Sequence, residues 1–187
     1  MKIAKKLSQW LLKSMGWKVV GALPARDQYI LIVAPHTSNW DLIIGLCARF
    51  AVDVKINFMA KHQLFFFPLG TLLTALGGIA VNRDKSASRV ERTIELFKTH
   101  RQLKLALAPE GTRSPVLRWK EGFYYMACQS QVPIVMVGLD YATKEVRIQE
   151  PFWPTEDKTK DFSVILDYFR TVHGKYPKNI PDYTEKK

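Results

Sequence analysis

A histidine and an aspartate stand five residues apart, directly after a run of apolar residues. His36 and Asp41 both lie in the short segment that follows Tyr29–Ala34. A carboxylate on one ring nitrogen fixes the imidazole tautomer and leaves the other nitrogen as a proton acceptor. Because neither cysteine is near in sequence, we expect the substrate to supply the hydroxyl or thiol that such a base deprotonates. The spacing fits equally well with Asp41 capping a helix and His36 having a structural role.

Residues that suit an anion follow two other apolar runs. After Leu103–Ala108 come a glycine that lets the backbone approach an anion, hydroxyl donors and an arginine whose guanidinium matches phosphate. Arg83 follows the run Gly78–Val81. Either arginine alone is more often a surface ion-pair partner, but together with the loop they favour an anion site. The candidates in the longer loop are Glu110, Gly111, Thr112, Arg113 and Ser114.

The elements that must position these residues alternate along the chain. Apolar runs predict strands near 29–34, 56–59, 79–81, 103–108, 133–139 and 146–148, and amphipathic stretches predict helices near 42–52, 86–100, 121–131 and 162–173. Such alternation predicts one α/β domain with a mostly parallel mixed sheet flanked by helices. Ligands bind beyond the carboxyl ends of strands in these sheets, which is where the candidate residues stand.

The first residues predict a separate amphipathic helix. Its apolar residues recur at helical spacing and its lysines lie mostly off that stripe. It is too short and too charged to span a bilayer, and charges interrupt any secretory signal. We therefore expect a membrane-surface helix over 1–20, a catalytic domain over 21–176 and a frayed polar tail over 177–187. The alternative is a helix that docks on its own domain.

The stretch Gln63–Asn82 carries no charged side chain, yet a proline and three glycines interrupt it. We predict a buried short helix, a turn and a strand rather than a membrane span. The run Phe65–Phe67 is expected to pack in the core, with lipid or a substrate chain as the alternative contact.

Composition excludes several classes of protein. The chain has 187 residues, 47% apolar and 24% charged, which is typical of a globular domain. Two cysteines do not make a disulfide framework, and no histidines have the spacing of metal ligands, so we expect no metal site. The net charge is +11, and residues 1–120 hold all of the excess. That region suits phosphorylated substrates, anionic lipid or acidic carriers; no nucleic-acid motif is present.

Taken together, these segments resemble the glycerolipid acyltransferases of the lysophosphatidic acid acyltransferase type. His36–Asp41 is similar to that family's H-x-x-x-x-D motif, and Pro109–Ser114 matches its second motif almost letter for letter. The resemblance covers about residues 28–140 in the same order. Smaller blocks that support it are Lys61 with Phe66–Gly70, Gly77–Arg83, Trp119–Gly122 and Val132–Val135.

The resemblance implies a direct acyl transfer. His36 would be the general base on the acceptor hydroxyl, and Asp41 would orient it. Arg83 and Arg113 would hold the acceptor's phosphate, with Gly111 and Thr112 shaping the loop. Acyl-CoA or acyl-carrier protein would be the thioester co-substrate, and no metal or cofactor would be needed. Glu110 would orient the arginine or support the loop.

The resemblance also implies a lysophospholipid acceptor and a peripheral site at the cytoplasmic face of a membrane. Three positions depart from the family pattern, Pro35, Asn82 and Met136, and they leave open whether the acceptor is another hydroxyl lipid. The alternative from another class is a non-catalytic basic module that binds anionic membrane or nucleic acid.

Overall fold

A computed structural model of the chain describes residues 2–81, 89–155 and 157–184. Seven strands form one sheet in the order β1-β7-β6-β2-β5-β3-β4. All neighbouring pairs are parallel except β6 and β7, so the sheet is mostly parallel and mixed, as the sequence predicts. The strands are Lys18–Val20 (β1), Gln28–Ala34 (β2), Asn57–Lys61 (β3), Gly78–Val81 (β4), Leu103–Leu107 (β5), Ile134–Asp140 (β6) and Glu145–Ile148 (β7).

Six helices lie in the described residues. They are Lys2–Ser14 (α1), Trp40–Ala51 (α2), Leu69–Ala75 (α3), Arg89–Thr99 (α4), Gly122–Ser130 (α5) and Lys158–Arg170 (α6). A short 3-10 turn, His62–Leu64, precedes α3. The predicted strands and helices are confirmed to within a few residues at each end. The short strand β1 has too few residues to show a sequence pattern.

The central strand β2 is buried on both faces, which explains its continuous apolar sequence. Side chains of a strand alternate between the two faces. Ile30 and Ile32 therefore pack with α4, α5 and α6, whereas Tyr29 and Leu31 pack with α1 and α2. The sheet is thus covered by a helical layer on each face, and β2 is the strand that both layers share.

Helix α1 docks on its own domain while keeping an apolar face exposed. Leu12 and Ser8 are buried, and Gln9 donates a hydrogen bond to the carbonyl oxygen of Ala51 at the end of α2. Ile3, Leu7 and Trp10 are exposed on another side of the helix. The docking alternative raised by the sequence is therefore confirmed for one face of α1, and contact of the exposed apolar face with a membrane stays a prediction.

The stretch after β3 differs from the prediction. The expected helix and strand are present as α3 and β4, but the segment is not buried. Phe66 is 59% exposed and Phe67 is 87% exposed, so the expectation that they pack in the core is wrong. They lie between the 3-10 turn and α3, and the described part of the chain leaves both rings largely exposed.

The chain after α6 also differs from the prediction of a frayed tail. Residues 171–184 have no helix or strand, yet they pack along the domain. The ring of Tyr183 stacks on Phe162 at 4.5 Å between centroids, and Arg170 forms an ion pair with Asp182. Tertiary contacts, rather than local propensity, hold this segment in place.

Candidate active site

Two loops meet at one edge of the sheet because β2 and β5 are parallel neighbours. Ile32 of β2 is paired with Leu107 of β5, so both strands end at the same level. The loop after β2 carries His36 and Asp41, and the loop after β5 carries residues 110–114. The topology therefore brings together the two motifs that the sequence singled out.

The imidazole of His36 bonds to the carboxylate of Asp41. Nδ1 of His36 lies 2.9 Å from Oδ2 of Asp41. A carboxylate only accepts hydrogen bonds, so the proton between them belongs to Nδ1 and the lone pair is on Nε2. Nε2 has no hydrogen-bond partner within the described part of the chain, and the side chain is 28% exposed. This arrangement leaves a proton acceptor accessible from outside.

Asp41 is held from several directions. Oδ2 also accepts the backbone N–H groups of Thr37 and Ser38, each at 2.8 Å, and Oδ1 accepts the hydroxyl of Tyr141 at 2.6 Å. Burial acts to raise the pKa of Asp41, but the hydrogen bonds from His36, Tyr141 and the two backbone groups outweigh it and keep the pKa below its ordinary value. Asp41 is therefore a fixed negative charge beside the imidazole.

Glu110 contacts the backbone of His36 and not its imidazole ring. Its side chain is buried, and Oε1 accepts the backbone N–H of His36 at 2.7 Å. Oε2 forms an ion pair with Lys178, which comes from the segment after α6. Of the two roles that the sequence left open, Glu110 thus supports the loop, and its charge partner is not Arg113.

Lys178 joins the two motif loops. Its Nζ donates to the carbonyl oxygens of His36 and Thr112, both at 3.1 Å. Burial lowers its pKa, while the nearby carboxylate of Asp41 acts in the opposite direction. The ammonium group is therefore buried between the loop of His36 and the loop of Thr112.

The rest of the loop after β5 is open to solvent. Gly111 has a φ of 69°, a conformation that side chains other than glycine's rarely adopt, and its N–H bonds back to Ala108. Arg113 and Ser114 are exposed, and Arg113 makes no hydrogen bond or ion pair with the residues that the structure describes. Its guanidinium is thus available for an anion. Arg83, the other arginine predicted at the anion site, lies outside the described residues.

An apolar cavity of about 260 Å³ extends from His36 between α2 and the sheet. His36 and Asp41 line it at the edge where the motif loops meet, and Val52 and Ile56 line it where α2 gives way to β3. Its walls are otherwise mainly aliphatic side chains. The apolar lining of this cavity, with His36 at one end, suits an alkyl chain.

Arg49 is the charged residue farthest from the imidazole on the cavity wall. It lies eight residues after Asp41, about 12 Å along the axis of α2. Its Nε and Nη1 are buried without a hydrogen-bond partner among the described residues. Burial lowers the pKa of Arg49, and its guanidinium lies 5.0 Å from the centre of the Phe50 ring.

Sequence reasoning missed three residues of this site. Tyr141 follows β6, Lys178 lies beyond α6, and Arg49 is inside a helix, so none belongs to a local motif. The position of Tyr141 directly after a buried parallel strand was a usable signal, because that end of β6 lies beside the end of β2. Nothing in the pattern distinguishes Lys178 or Arg49 from other basic residues.

Neither a metal-binding cluster nor a membrane-crossing helix is present among residues 2–81, 89–155 and 157–184. No group of three or more histidine, cysteine, aspartate or glutamate side chains is placed to hold a metal ion. None of the described helices has both the length and the apolar character needed to cross a bilayer.

The family model described as Acyltransferase matches residues 17–140. The chain is similar to a 1-acyl-sn-glycerol-3-phosphate acyltransferase of Limnanthes douglasii, with 32% identity over 142 residues, which are 66% of this chain and 50% of that protein. It is also similar to the human 1-acyl-sn-glycerol-3-phosphate acyltransferase beta, with 35% identity over 113 residues, 57% of this chain and 40% of that protein. The chain thus spans about half the length of the relatives it matches, or less.

The fold is similar to that of a solved structure, the 1-acyl-sn-glycerophosphate (LPA) acyltransferase PlsC from Thermotoga maritima. The TM-score is 0.60 at 17% identity, and the match covers 93% of this chain and 81% of the other. At that identity the likeness concerns the arrangement of helices and strands.

Proposed function

This chain belongs to the acyltransferase family, and we propose that it moves a fatty acyl group from an acyl thioester to the hydroxyl of a lysophospholipid such as 1-acyl-sn-glycerol-3-phosphate. The observation that carries the proposal is the position of His36, which is bonded to Asp41 through Nδ1 and borders an apolar cavity. A base, a place for an alkyl chain and an arginine for phosphate are what this reaction needs.

His36 acts as the general base in the proposed reaction. Nε2 takes the proton of the acceptor hydroxyl as the oxygen attacks the carbonyl carbon of the thioester. The carboxylate of Asp41 stabilises the resulting imidazolium and keeps the ring oriented. The proton on Nε2 then passes to the sulfur as the carbon–sulfur bond breaks, which releases the free thiol and the ester. No acyl-enzyme is formed.

The acceptor's phosphate binds at the exposed loop after β5. Arg113 offers a planar guanidinium, and the positive φ of Gly111 permits the turn of the loop that carries it. Arg83 serves as the second phosphate ligand in this proposal. Because phosphate is held away from the reacting atoms, these contacts orient the acceptor more than they stabilise the transition state.

The proposed place of action is a membrane surface, and we infer peripheral association at the cytoplasmic face, where acyl-CoA or acyl-carrier protein is met. Some of the exposed large apolar side chains support this inference, since a lipid surface would cover them. They lie on α1, in the first turn of α2 and around α3: Ile3, Leu7, Trp10, Trp40, Leu42, Ile43, Phe66, Phe67 and Leu72. The lysines of α1 add attraction to anionic lipid.

The test is an assay for thiol release with a panel of lysolipid acceptors, using acyl-CoA and acyl-carrier protein as separate donors. We expect acyl transfer by the wild type with one donor class and one acceptor class. His36→Ala should lower the rate by about 100- to 10,000-fold, the range of general-base catalysis. Mass spectrometry of the product identifies the ester formed.

His100→Ala is the matched control. His100 is exposed at the end of α4, and its ring bonds only to groups of that last turn, at Thr99 and Leu96. It should retain the wild-type rate. Equal rates for His36→Ala and the wild type would exclude His36 as the base, and absence of transfer with every donor and acceptor would exclude the proposed reaction.

A further inference from the structure

A buried ion pair lies behind the proposed catalytic base. The side chain of Glu110 is fully buried, and that of Lys178 is 3% exposed. Removing two charges from water is expensive, and the attraction between them offsets the expense only with good geometry and further hydrogen bonds. A buried ion pair often adds little to the stability of the fold, so stability alone does not explain why this pair lies beside His36.

The pair holds both polar groups of the His36 backbone. Glu110 accepts the N–H of His36 at 2.7 Å, and Lys178 donates to the carbonyl oxygen of the same residue at 3.1 Å. The peptide groups on each side of the Cα atom are thereby fixed. The direction in which the imidazole leaves the backbone is set by the pair as well as by Asp41.

All contacts of the Lys178 ammonium lie inside the protein. An ammonium group has three donors. Two bond to the carbonyl oxygens of His36 and Thr112, and the ammonium also forms the ion pair with Glu110. Because the Lys178 side chain is 3% exposed, we expect it to act on the chemistry through the loops that it joins and not by contact with substrate.

The segment that carries Lys178 is anchored on both sides. Before it, the backbone N–H of Lys175 donates to the hydroxyl of Thr37 at 3.0 Å, and a side chain at Gly174 would come within 2.7 Å of Thr37. After it, Ile180 and Tyr183 pack against the core. The segment is therefore placed firmly enough to hold the loop of His36.

We propose that the Glu110–Lys178 pair is a clamp for the catalytic base, and that Lys178 is a positioning residue supplied by the segment after α6. The inference rests on the proposed role of His36. The clamp keeps Nε2 aimed at the acceptor hydroxyl while substrate enters and product leaves. An error of about 1 Å in such a position lowers a rate by about 100-fold.

The test is a double-mutant cycle of Lys178→Met, Glu110→Gln and both together, with kcat and KM measured for acyl transfer per folded molecule. We expect each single variant to lower kcat by about 10- to 100-fold while the acceptor KM changes by less than about twofold. The double variant should be no slower than the slower single variant, because the clamp is lost only once. Additive losses would overturn the proposal.

Two controls separate the clamp from a structural role. Lys160→Met removes an exposed lysine of α6 and should leave kcat unchanged. Thermal unfolding reports folding separately, and the double variant is the one that leaves no lone buried charge. Variants that melt earlier but keep the wild-type kcat would reduce the pair to a structural contact and refute the clamp.

An activity-independent measurement covers the case in which the proposed reaction itself fails. The proton between His36 and Asp41 is followed by NMR as a downfield resonance. We expect the resonance in the wild type and in Lys160→Met, and its loss or broadening in Lys178→Met and Glu110→Gln. An unchanged resonance in both variants would overturn the clamp, whatever the acyl-transfer assay finds.

Discussion

The hydroxyl of Tyr141 donates a 2.6 Å hydrogen bond to Oδ1 of Asp41, which lies 100 residues earlier in the chain. The contact arises because β6 and β2 are parallel neighbours, so the residue after one strand meets the loop after the other. The ring of Trp17 packs edge-on against Tyr141 at 4.9 Å and fixes its position. The orientation of Asp41 thus depends on Tyr141, and through it on Trp17, as well as on the loop that contains Asp41.

The first prediction concerns Tyr141→Phe. Burial acts to raise the pKa of Asp41, and this hydrogen bond, which favours the ionised carboxylate, is one of four that outweigh burial and keep the pKa below 3.8, the ordinary value. Such a bond contributes stability above that pH, and the contribution is lost as pH falls through the lowered value. We expect the variant to unfold about 1.5–3 kcal/mol more easily at pH 7.

Denaturant unfolding at a series of pH values checks this prediction. The difference between wild type and Tyr141→Phe should shrink as the solution is acidified below pH 3.8. Tyr125→Phe removes an exposed hydroxyl that donates to Glu121 and accepts from Lys158, and because solvent can replace both partners it should cost less at every pH. A difference that stays constant with pH would mean that Tyr141 acts through packing and not through the charge of Asp41.

The part of the site that could be predicted follows from strand patterns. The runs that form β2 and β5 are apolar and bounded by motif loops, and parallel strands end at one edge. His36 and the loop at Gly111 were therefore expected to meet. The pairing of His36 with Asp41 was one of two equal alternatives, because spacing alone does not say which way a side chain turns.

Lys178 and Phe67 mark what the pattern could not predict. Lys178 is one of 28 lysine and arginine residues, and its burial depends on a tertiary path without helix or strand. Phe67 belongs to an apolar run, which predicts avoidance of water. It does not predict whether protein or another partner covers the side chain. In both cases burial depends on parts of the chain far away in sequence, which surround Lys178 and leave Phe67 exposed.

The second prediction concerns the length of the cavity. Gly45 lines it, and a Cβ atom built there meets nothing within 4 Å. Gly45→Leu should fill the cavity without moving the backbone and should shift the donor preference to shorter acyl chains. Gly45→Ala should keep the preference and stabilise α2 by about 1 kcal/mol. The ratio of kcat/KM across a series of chain lengths measures the shift; identical profiles for all three proteins would mean that the acyl chain binds elsewhere.

The third prediction concerns the guanidinium of Arg49. Nε and Nη1 of Arg49 are buried without a hydrogen-bond partner among the described residues, which is costly, and the ring of Phe50 offsets only part of the cost. Arg49→Met should raise the free energy of unfolding by about 1–3 kcal/mol. It should also raise kcat/KM for unsubstituted long acyl donors, because the chain no longer desolvates a charge.

Arg49→Lys is the comparison variant for this prediction. It keeps a positive charge on the cavity wall with a shorter polar group, so it should gain little stability over the wild type. Denaturant unfolding and donor kinetics are measured on all three proteins. Destabilisation by Arg49→Met, with Arg49→Lys unchanged, would indicate that Arg49 has a stabilising polar partner in solution.

The fourth prediction concerns binding to membranes. Phe67 is 87% exposed and Phe66 is 59% exposed, and neither supports the core. Phe67→Ser and Phe66→Ser should each weaken binding to vesicles of phosphatidylethanolamine and phosphatidylglycerol by about 10- to 100-fold, since burying a phenylalanine contributes about 1.5–3 kcal/mol and each 1.4 kcal/mol is tenfold in affinity. Val164→Ser, on the exposed side of α6, should leave binding unchanged.

Cosedimentation measures the bound fraction of each protein. Added salt should weaken the binding of all four proteins alike, because it screens the lysines of α1. Equal binding by the wild type and both phenylalanine variants would show that this surface does not enter the bilayer.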